Sequence, residues 1–179
     1  MIEFQDISFS YPEGTEGGLK NINLTIPDGQ CVLFCGQSGC GKTTLTRLVN
    51  GLIPQFFDGK LTGKVLFNGE NLFNVPMYQI AEKVGSVFQN PRTQFFNVDT
   101  DSEIVFGLEN EAVPQEELKS SVMETAKSLH IESLLGRNIF ALSGGEKQKI
   151  AFASVYAMNP EVYLLDEPSS NLDMATIKE

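Results

Sequence analysis

The stretch GQSGCGKT, residues 36–43, decides the fold. It fits the phosphate-binding pattern of a glycine, any four residues and then Gly-Lys-Ser/Thr. The apolar run Cys31–Cys35 precedes it and predicts a strand covered on both faces, as in a parallel sheet. Apolar residues from Leu45 to Leu52 follow it at helical spacing. Strand, glycine-rich turn and helix are the setting that this pattern requires, and a ligand-free glycine turn is the weaker interpretation.

The chemistry of this loop points to a nucleoside triphosphate. Glycines let the backbone turn so that its N–H groups face an anion, and the following helix adds a partial positive charge at its N-terminus. Lys42 would then reach the β- and γ-phosphates, and the hydroxyl of Thr43 would ligate Mg²⁺. The expected phosphate-binding residues are Gly36, Gln37, Ser38, Gly39, Cys40, Gly41, Lys42, Thr43 and Thr44.

A second element is the apolar run Val162–Leu165, which is followed by two acids. The run predicts a buried strand that brings Asp166 to its C-terminal end, where open α/β sheets bind ligands. A carboxylate there holds Mg²⁺, directly or through water, and Glu167 is placed to orient or deprotonate a water that attacks the γ-phosphate. Many strands end in acids, so this signal becomes specific only beside a phosphate loop.

Short strands are predicted elsewhere by alternating apolar residues. They fall around Ile2–Phe4, Ile7–Tyr11 and Ile22–Ile26, and Asn68-Gly69 is a hairpin turn signal. Gly85–Phe88 is a further short strand.

The segment between Asp99 and Gly136 differs in charge from the rest of the chain. Nine acids and two lysines give it −7 of the total net charge of −10. Its helical pattern begins at a capping box from Thr100 to Glu103, so we expect a separate helical insertion with a solvated acidic face. A second capping box, Ser143–Glu146, opens the next helix.

Composition excludes several classes of function. The 179 residues are 41% hydrophobic, enough for the core of one compact domain. With 13 basic and 23 acidic side chains, the chain lacks the basic surface that nucleic acid requires. No apolar window of about 18 residues and no signal peptide are visible. Cys31, Cys35 and Cys40 are expected to be reduced thiols that pack as small buried hydrophobes, rather than a disulfide or a metal site.

The sequence LSGGEKQ, residues 142–148, identifies the family that the chain resembles. In isolation Ser143 is a helix cap and the two glycines a turn, but glycines at a helix start also expose backbone donors to an incoming phosphate. The order and spacing of the phosphate loop, this motif, the acidic strand end and SNLD at 170–173 resemble ATP-binding cassette (ABC) proteins. The resemblance covers essentially all 179 residues.

The resemblance implies roles for further residues. Gln89 matches the Q-loop, which contacts Mg²⁺ or the attacking water, and Asp173 falls in the D-loop. Tyr11 lies where the family carries an aromatic that stacks on adenine, although Phe9 and Tyr11 also alternate as core residues do. ATP and Mg²⁺ are the implied ligands.

The implied fold is α/β, with a P-loop NTPase core, a mainly parallel sheet, an N-terminal antiparallel β subdomain and an inserted α-helical subdomain. Residues 1–179 would be one nucleotide-binding domain, incomplete at its C-terminus. Residues 1–88 would hold the β subdomain and P-loop core, 89–141 the Q-loop and helical subdomain, and 142–179 the signature helix, Walker B strand and D-loop.

The family's working unit implies a partner. Two such domains face each other head to tail, and each ATP lies between the phosphate loop of one domain and Ser143, Gly144 and Gly145 of the other. The pair would be a homodimer or a heterodimer, and nucleic acid is not an expected partner.

Two further stretches resemble a subfamily. FQNPRTQFF at 88–96 and VFGLEN at 105–110 are similar to the ATPases of energy-coupling factor importers, which take up vitamins or transition-metal ions. Such an ATPase binds an integral membrane subunit and lies peripherally on the cytoplasmic side of the membrane. The alternatives are a soluble ABC ATPase that acts as an ATP-gated clamp on ribosomes or DNA, which the acidic charge disfavours, and a protein that only binds ATP, which the intact Lys42, Asp166 and Glu167 disfavour.

One departure from the family concerns its switch histidine, which follows the D-loop and contacts the γ-phosphate. The chain's one histidine, His130, precedes Asp166 and is expected to be a solvated residue of the helical region. We therefore expect these 179 residues to be a fragment of a longer protein, which binds ATP but hydrolyses it poorly because the switch histidine is missing.

Overall fold

The structure is a computed structural model that describes residues 1–12 and 18–168. The chain divides into two compact units, Met1–Val84 and a second that begins at Gly85. Within the described ranges no helix is long and apolar enough to cross a membrane.

The first unit combines an antiparallel sheet with short helices. The sheet has the strand order β2-β1-β3-β4, and each neighbouring pair is antiparallel. Its described elements are β1 (Ile2–Ser10), β2 (Gly18–Ile26), α1 (Lys42–Val49), α2 (Leu52–Gln55), β3 (Lys60–Phe67), β4 (Glu70–Asn71), a 3-10 turn (Leu72–Asn74) and α3 (Met77–Lys83).

The two strands predicted at the N-terminus form one strand, β1, with an irregularity at its middle. Its register shifts between Phe4 and Ile7, where Asp6 has a φ of 50°. Ile2, Phe4, Ile7 and Phe9 are nevertheless all buried. The extra residue of the bulge explains this, because it returns the alternating side chains to the same face of the sheet.

Tight turns follow two strands of the first unit, and the one at Asn68-Gly69 confirms the prediction. Asp28 and Gly29 form a turn after β2. Asn68 and Gly69 join β3 to β4 with φ values of 49° and 85°, the pair of positive angles that a two-residue hairpin of type I′ needs.

The predicted strand at Cys31–Cys35 is not formed. A strand exists through hydrogen bonds to a neighbouring strand, and no described strand pairs with this segment. Its side chains are therefore not covered: Leu33 is 82% exposed and Val32 is 40% exposed. The prediction of buried thiols was also wrong, since all three cysteines are exposed.

The second unit places three long helices beside a two-stranded parallel sheet formed by β5 and β6. Its described elements are β5 (Val84–Val87), α4 (Thr100–Asn110), α5 (Gln115–Ser128), α6 (Gly144–Ala157) and β6 (Val162–Leu165), with 3-10 turns at Pro91–Thr93, Glu132–Leu134 and Ile139–Ala141. The strand predicted before Asp166 is thus present as β6. It is covered on one side only, because Tyr163 and Leu165 are exposed.

The helices α4, α5 and α6 pack around a shared apolar core. The core residues are Ile104, Val105, Val122, Ala126, Ile131, Leu134, Leu142, Ile150 and Ala153. Of the nine acids of this region, seven are exposed, which confirms the solvated acidic face. His130 is also exposed and follows the end of α5 with a φ of 54°.

The capping box predicted from Thr100 to Glu103 was wrong. The cap of α4 is Asp99, whose carboxylate accepts a hydrogen bond from the backbone N–H of Ser102. Glu103 is 2% exposed and accepts instead from the N–H groups of Phe96 and Asn97, at 3.0 and 2.8 Å. These two loop donors would otherwise be unsatisfied at a partly buried position, so the carboxylate serves the loop rather than the helix end.

Candidate nucleotide-binding site

The phosphate loop leads directly into α1, which begins at Lys42. Gly39 and Gly41 have φ values of 79° and 100°, in the left-handed region that favours glycine. A Cβ at Gly41 would also lie 2.8 Å from a side-chain carbon of Leu19 and 3.1 Å from the backbone oxygen of Gly18. The loop can therefore take this path only with glycine at residue 41. The predicted helix face is confirmed for Leu45, Leu48 and Val49, which are buried, whereas α1 ends before Leu52, which begins α2.

The ammonium of Lys42 folds back over this loop. Its Nζ donates to the backbone oxygens of Gly36 and Gln37, at 3.1 and 3.2 Å. Residues 36–40 are exposed to solvent. An exposed, glycine-dependent loop with a cation over it and a helix N-terminus behind it suits a polyanion such as the phosphates of a nucleotide. The residues present thus fit the implied group.

Tyr11 follows β1 and is fixed to α1 by its hydroxyl. The hydroxyl lies 3.2 Å from Oγ1 of Thr44 and accepts a hydrogen bond from Nη1 of Arg47 at 2.9 Å. Its ring contacts Phe9 edge-on, with centroids 4.8 Å apart. Phe9 is fully buried, as a core residue is, whereas Tyr11 is only half-buried.

The acidic end of β6 lies beside the Q-loop residue in the second unit. The N–H of Asp166 donates to the backbone oxygen of Val87 at 3.0 Å, which ties the end of β6 to β5. Nε2 of Gln89 donates to Oε2 of Glu167 at 2.9 Å. The fold thereby brings together two residues that are 78 positions apart and that the sequence analysis selected independently.

Ser143 caps the helix α6, and the predicted capping box is confirmed. The hydroxyl of Ser143 accepts from the N–H of Glu146, and a carboxylate oxygen of Glu146 accepts from the N–H of Ser143 at 2.7 Å. The other oxygen accepts from Nη1 of Arg137 at 2.7 Å. The Ser143 N–H, followed by the Arg137 guanidinium, lowers the pKa of Glu146 to about 2.

Sequence reasoning missed two arginines that support these predicted residues. Arg137 supports Glu146 from a different segment, and no local pattern indicates this pair. Arg47 supports Tyr11, and its helical spacing from Thr44 on α1 is the signal that was available. The D-loop prediction, Asp173, lies outside the described residues.

Comparison with known proteins places this arrangement in a family. A family model described as "ABC transporter" matches residues 19–170. The chain belongs to the ABC transporter family. This confirms the resemblance, and the fold is confirmed as mixed α/β with an antiparallel N-terminal sheet, a parallel sheet and helices.

Individual relatives agree with the family. The chain is 60% identical, over all 179 residues, to a putative ABC transporter ATP-binding protein of Treponema denticola, and spans 37% of that protein's length. It is 39% identical over 173 residues to the energy-coupling factor transporter ATP-binding protein EcfA1 of Ligilactobacillus salivarius, covering 97% of this chain and 60% of that protein.

A solved structure matches the fold closely. It is that of cbiO1 from Clostridium perfringens, described as part of the ABC transporter complex cbiONQ. The TM-score is 0.85 at 30% sequence identity, and the match covers 99% of this chain and 69% of that one.

Proposed function

We propose that this chain is the nucleotide-binding part of an ATPase subunit that energises a membrane transporter. The observation that carries the proposal is the phosphate loop, with left-handed glycines at 39 and 41 and the Lys42 ammonium over its backbone. Two neutral carbonyls are weak partners for an ammonium compared with phosphate oxygens. The oxygens of a bound triphosphate would therefore compete with these carbonyls for the Lys42 ammonium.

Named residues would hold ATP and Mg²⁺. The phosphates would be bound by Lys42 and by backbone N–H groups of residues 36–44. The metal ion would be held by the Thr43 hydroxyl and the Asp166 carboxylate. Tyr11 would contact the base. Bound Mg-ATP would supply the phosphoryl group that is transferred to water. The chain's own contribution is to orient the phosphates and to exclude alternative orientations.

Glu167 is proposed as the group that orients or deprotonates the attacking water. A general base must be held in one orientation, and the amide of Gln89 provides such a constraint through its hydrogen bond to one carboxylate oxygen.

Ser143, Gly144 and Gly145 are proposed to serve a second ABC domain. They begin α6, where N–H groups and the helix dipole favour an anion. In the head-to-tail pair these donors would bind the γ-phosphate of ATP held by the partner. ATP would thereby stabilise the closed pair by mass action.

The transporter is proposed to be an importer of the energy-coupling factor type, with a vitamin or metal ion as cargo. The relative EcfA1 and the structural match to cbiO1 support this subtype. The subunit would bind an integral membrane protein and lie peripherally on the cytoplasmic side of the membrane.

The test is a calorimetric titration of the chain with Mg-ATP, together with its melting temperature. We expect heat of binding and a raised melting temperature. Lys42→Ala should lower the affinity roughly hundredfold, through the loss of charge-assisted hydrogen bonds, without unfolding the protein. Lys64→Ala is the matched control, because Lys64 is an exposed lysine of the same unit on β3. Absence of binding by the parent chain, or normal binding by Lys42→Ala, would contradict the proposal.

A further inference from the structure

The hydroxyl of Tyr11 is held by two side chains of the helix that follows the phosphate loop. Nη1 of Arg47 donates to it at 2.9 Å, which leaves the phenolic proton available for Oγ1 of Thr44 at 3.2 Å. Thr44 is buried, so this end of the contact is fixed by the packing of α1. The Tyr11 side chain is therefore held by α1, the helix that directly follows the phosphate loop.

Arg47 is itself held in place by an aromatic ring. Its guanidinium carbon lies 4.1 Å from the centroid of the Phe57 ring, in a cation–π contact. Phe57 also meets the Tyr11 ring edge-on, with centroids 6.4 Å apart. Arg47 thus spans two rings, donating to the hydroxyl of one and lying over the face of the other. All of these residues lie in the first unit, Met1–Val84.

From this arrangement we propose that Arg47 is a positioning residue for recognition of the nucleoside. It sets the Tyr11 ring at a fixed place relative to the phosphate loop, so that one ligand can contact both. The inference rests on the proposed function, since it assumes that the ligand is a nucleotide whose base meets Tyr11. Its consequence is that Arg47 contributes to the binding of a nucleotide but not to the binding of its phosphates alone.

A purely structural role for Arg47 has a different consequence. If Arg47 only stabilised the first unit, its loss would weaken the binding of every ligand of the phosphate loop to the same extent. Mg-tripolyphosphate separates the two cases, because it carries the three phosphates without ribose or base. The readout is the ratio of the dissociation constants for Mg-tripolyphosphate and Mg-ATP.

The experiment measures both constants by calorimetry for the parent chain, Arg47→Met, Tyr11→Phe and Tyr11→Ala. We expect Arg47→Met and Tyr11→Phe each to weaken the binding of Mg-ATP by about five- to tenfold, the value of one typical hydrogen bond, with the binding of Mg-tripolyphosphate unchanged. Tyr11→Ala should weaken Mg-ATP further. Adding Arg47→Met to Tyr11→Phe should change little, because both remove the same hydrogen bond.

Lys64→Met is the control for charge, since it removes one positive side chain from the same unit and should leave both constants unchanged. The proposal is overturned if Arg47→Met leaves the ratio of the two dissociation constants unchanged, which includes the case in which it weakens the binding of both ligands equally. A normal ratio in Tyr11→Ala also overturns it but leaves the proposed function standing, because the chain still binds ATP. Failure of the parent to bind either ligand removes both proposals. If Arg47→Met does not fold, Tyr11→Phe supplies the same readout.

Discussion

At the scale of single residues, Glu167 combines a functional position with an unfavourable backbone. Its φ is 47°, in the left-handed region that costs a residue with a side chain roughly 1 kcal/mol. Non-glycine residues in such conformations are found at functional sites, where the surrounding structure imposes them. The hydrogen bond from Gln89 and the tie between Asp166 and Val87 act on this segment from two sides.

Removing that strain should stabilise the protein at the expense of its proposed chemistry. We expect Glu167→Gly to raise the free energy of unfolding by about 0.5–1 kcal/mol, measured by chemical denaturation, because glycine adopts a positive φ without the steric cost. The same change should abolish ATP hydrolysis, measured as phosphate release, in a protein that contains this chain and hydrolyses ATP.

Ala112→Gly is the matched control for this prediction. Ala112 is exposed, has a φ of 59° and lies outside the candidate site. It should therefore gain similar stability with unchanged hydrolysis. A Glu167→Gly protein that is less stable than the parent would show that the carboxylate contributes more to folding than its backbone conformation costs.

At the scale of single elements, the N-terminus of α6 depends on a link to another segment. Glu146 closes the capping box of Ser143 and pairs with Arg137, and its pKa of about 2 lies below the ordinary value of 4.5. The stability that this depressed pKa represents is present above pH about 4.5 and is lost as the pH falls through about 2. The start of the signature helix should thus be held firmly at neutral pH.

Arg137→Met tests this link. At neutral pH we expect it to destabilise the protein by up to about 1 kcal/mol, the upper range for a partly exposed ion pair. The difference from the parent should shrink between about pH 4.5 and 2, because protonated Glu146 no longer attracts the guanidinium. Melting temperatures measured across this pH range give the result. Arg92→Met, which removes an exposed arginine of the same unit, is the control and should show no such pH dependence. If the difference in melting temperature between Arg137→Met and the parent stays constant across this pH range, the role of the pair is refuted.

Two identical sequence patterns show how far local prediction reaches. Ser143–Glu146 and Thr100–Glu103 both read as capping boxes, and only the first is one. The first box forms through local contacts, because the side chains of Ser143 and Glu146 each accept a hydrogen bond from the other residue's backbone N–H. The second box does not form, because Asp99 caps the helix and the carboxylate of Glu103 accepts from the N–H groups of Phe96 and Asn97. The sequence pattern describes neither contact.

The same limit applies to the strands. Turn signals such as Asn68-Gly69 and the helix face of α1 were predictable because their hydrogen bonds and dihedral angles are set by nearby residues. The apolar run Cys31–Cys35 was not, because a strand needs a partner and apolar character alone does not supply one. The candidate site followed from its motifs, but the supporting arginines at 47 and 137 act across sequence gaps that no motif describes.

At the scale of the whole molecule, the proposed site is divided between two copies of an ABC domain. The chain spans 37% of the length of its Treponema denticola relative. We propose that the second domain is either another copy of this chain or a different ABC domain. In the proposed pair, the N–H donors at the start of α6 would serve the opposite subunit. Binding of ATP by one copy and pairing of two copies are therefore separable properties.

Gly145→Asp should separate them. An acid in the first turn of a helix is compatible with folding, but its charge would repel the phosphate that the partner presents there. In a Glu167→Gln background, which suppresses hydrolysis, we expect Mg-ATP to double the sedimenting mass of the chain, and Gly145→Asp to prevent this without changing the affinity for Mg-ATP. Gln115→Asp, at an exposed residue in the first turn of α5, controls for the added charge. Pairing that persists in Gly145→Asp would exclude the start of α6 from the shared site, whereas a parent chain that binds Mg-ATP but stays monomeric would assign the second domain to a different sequence.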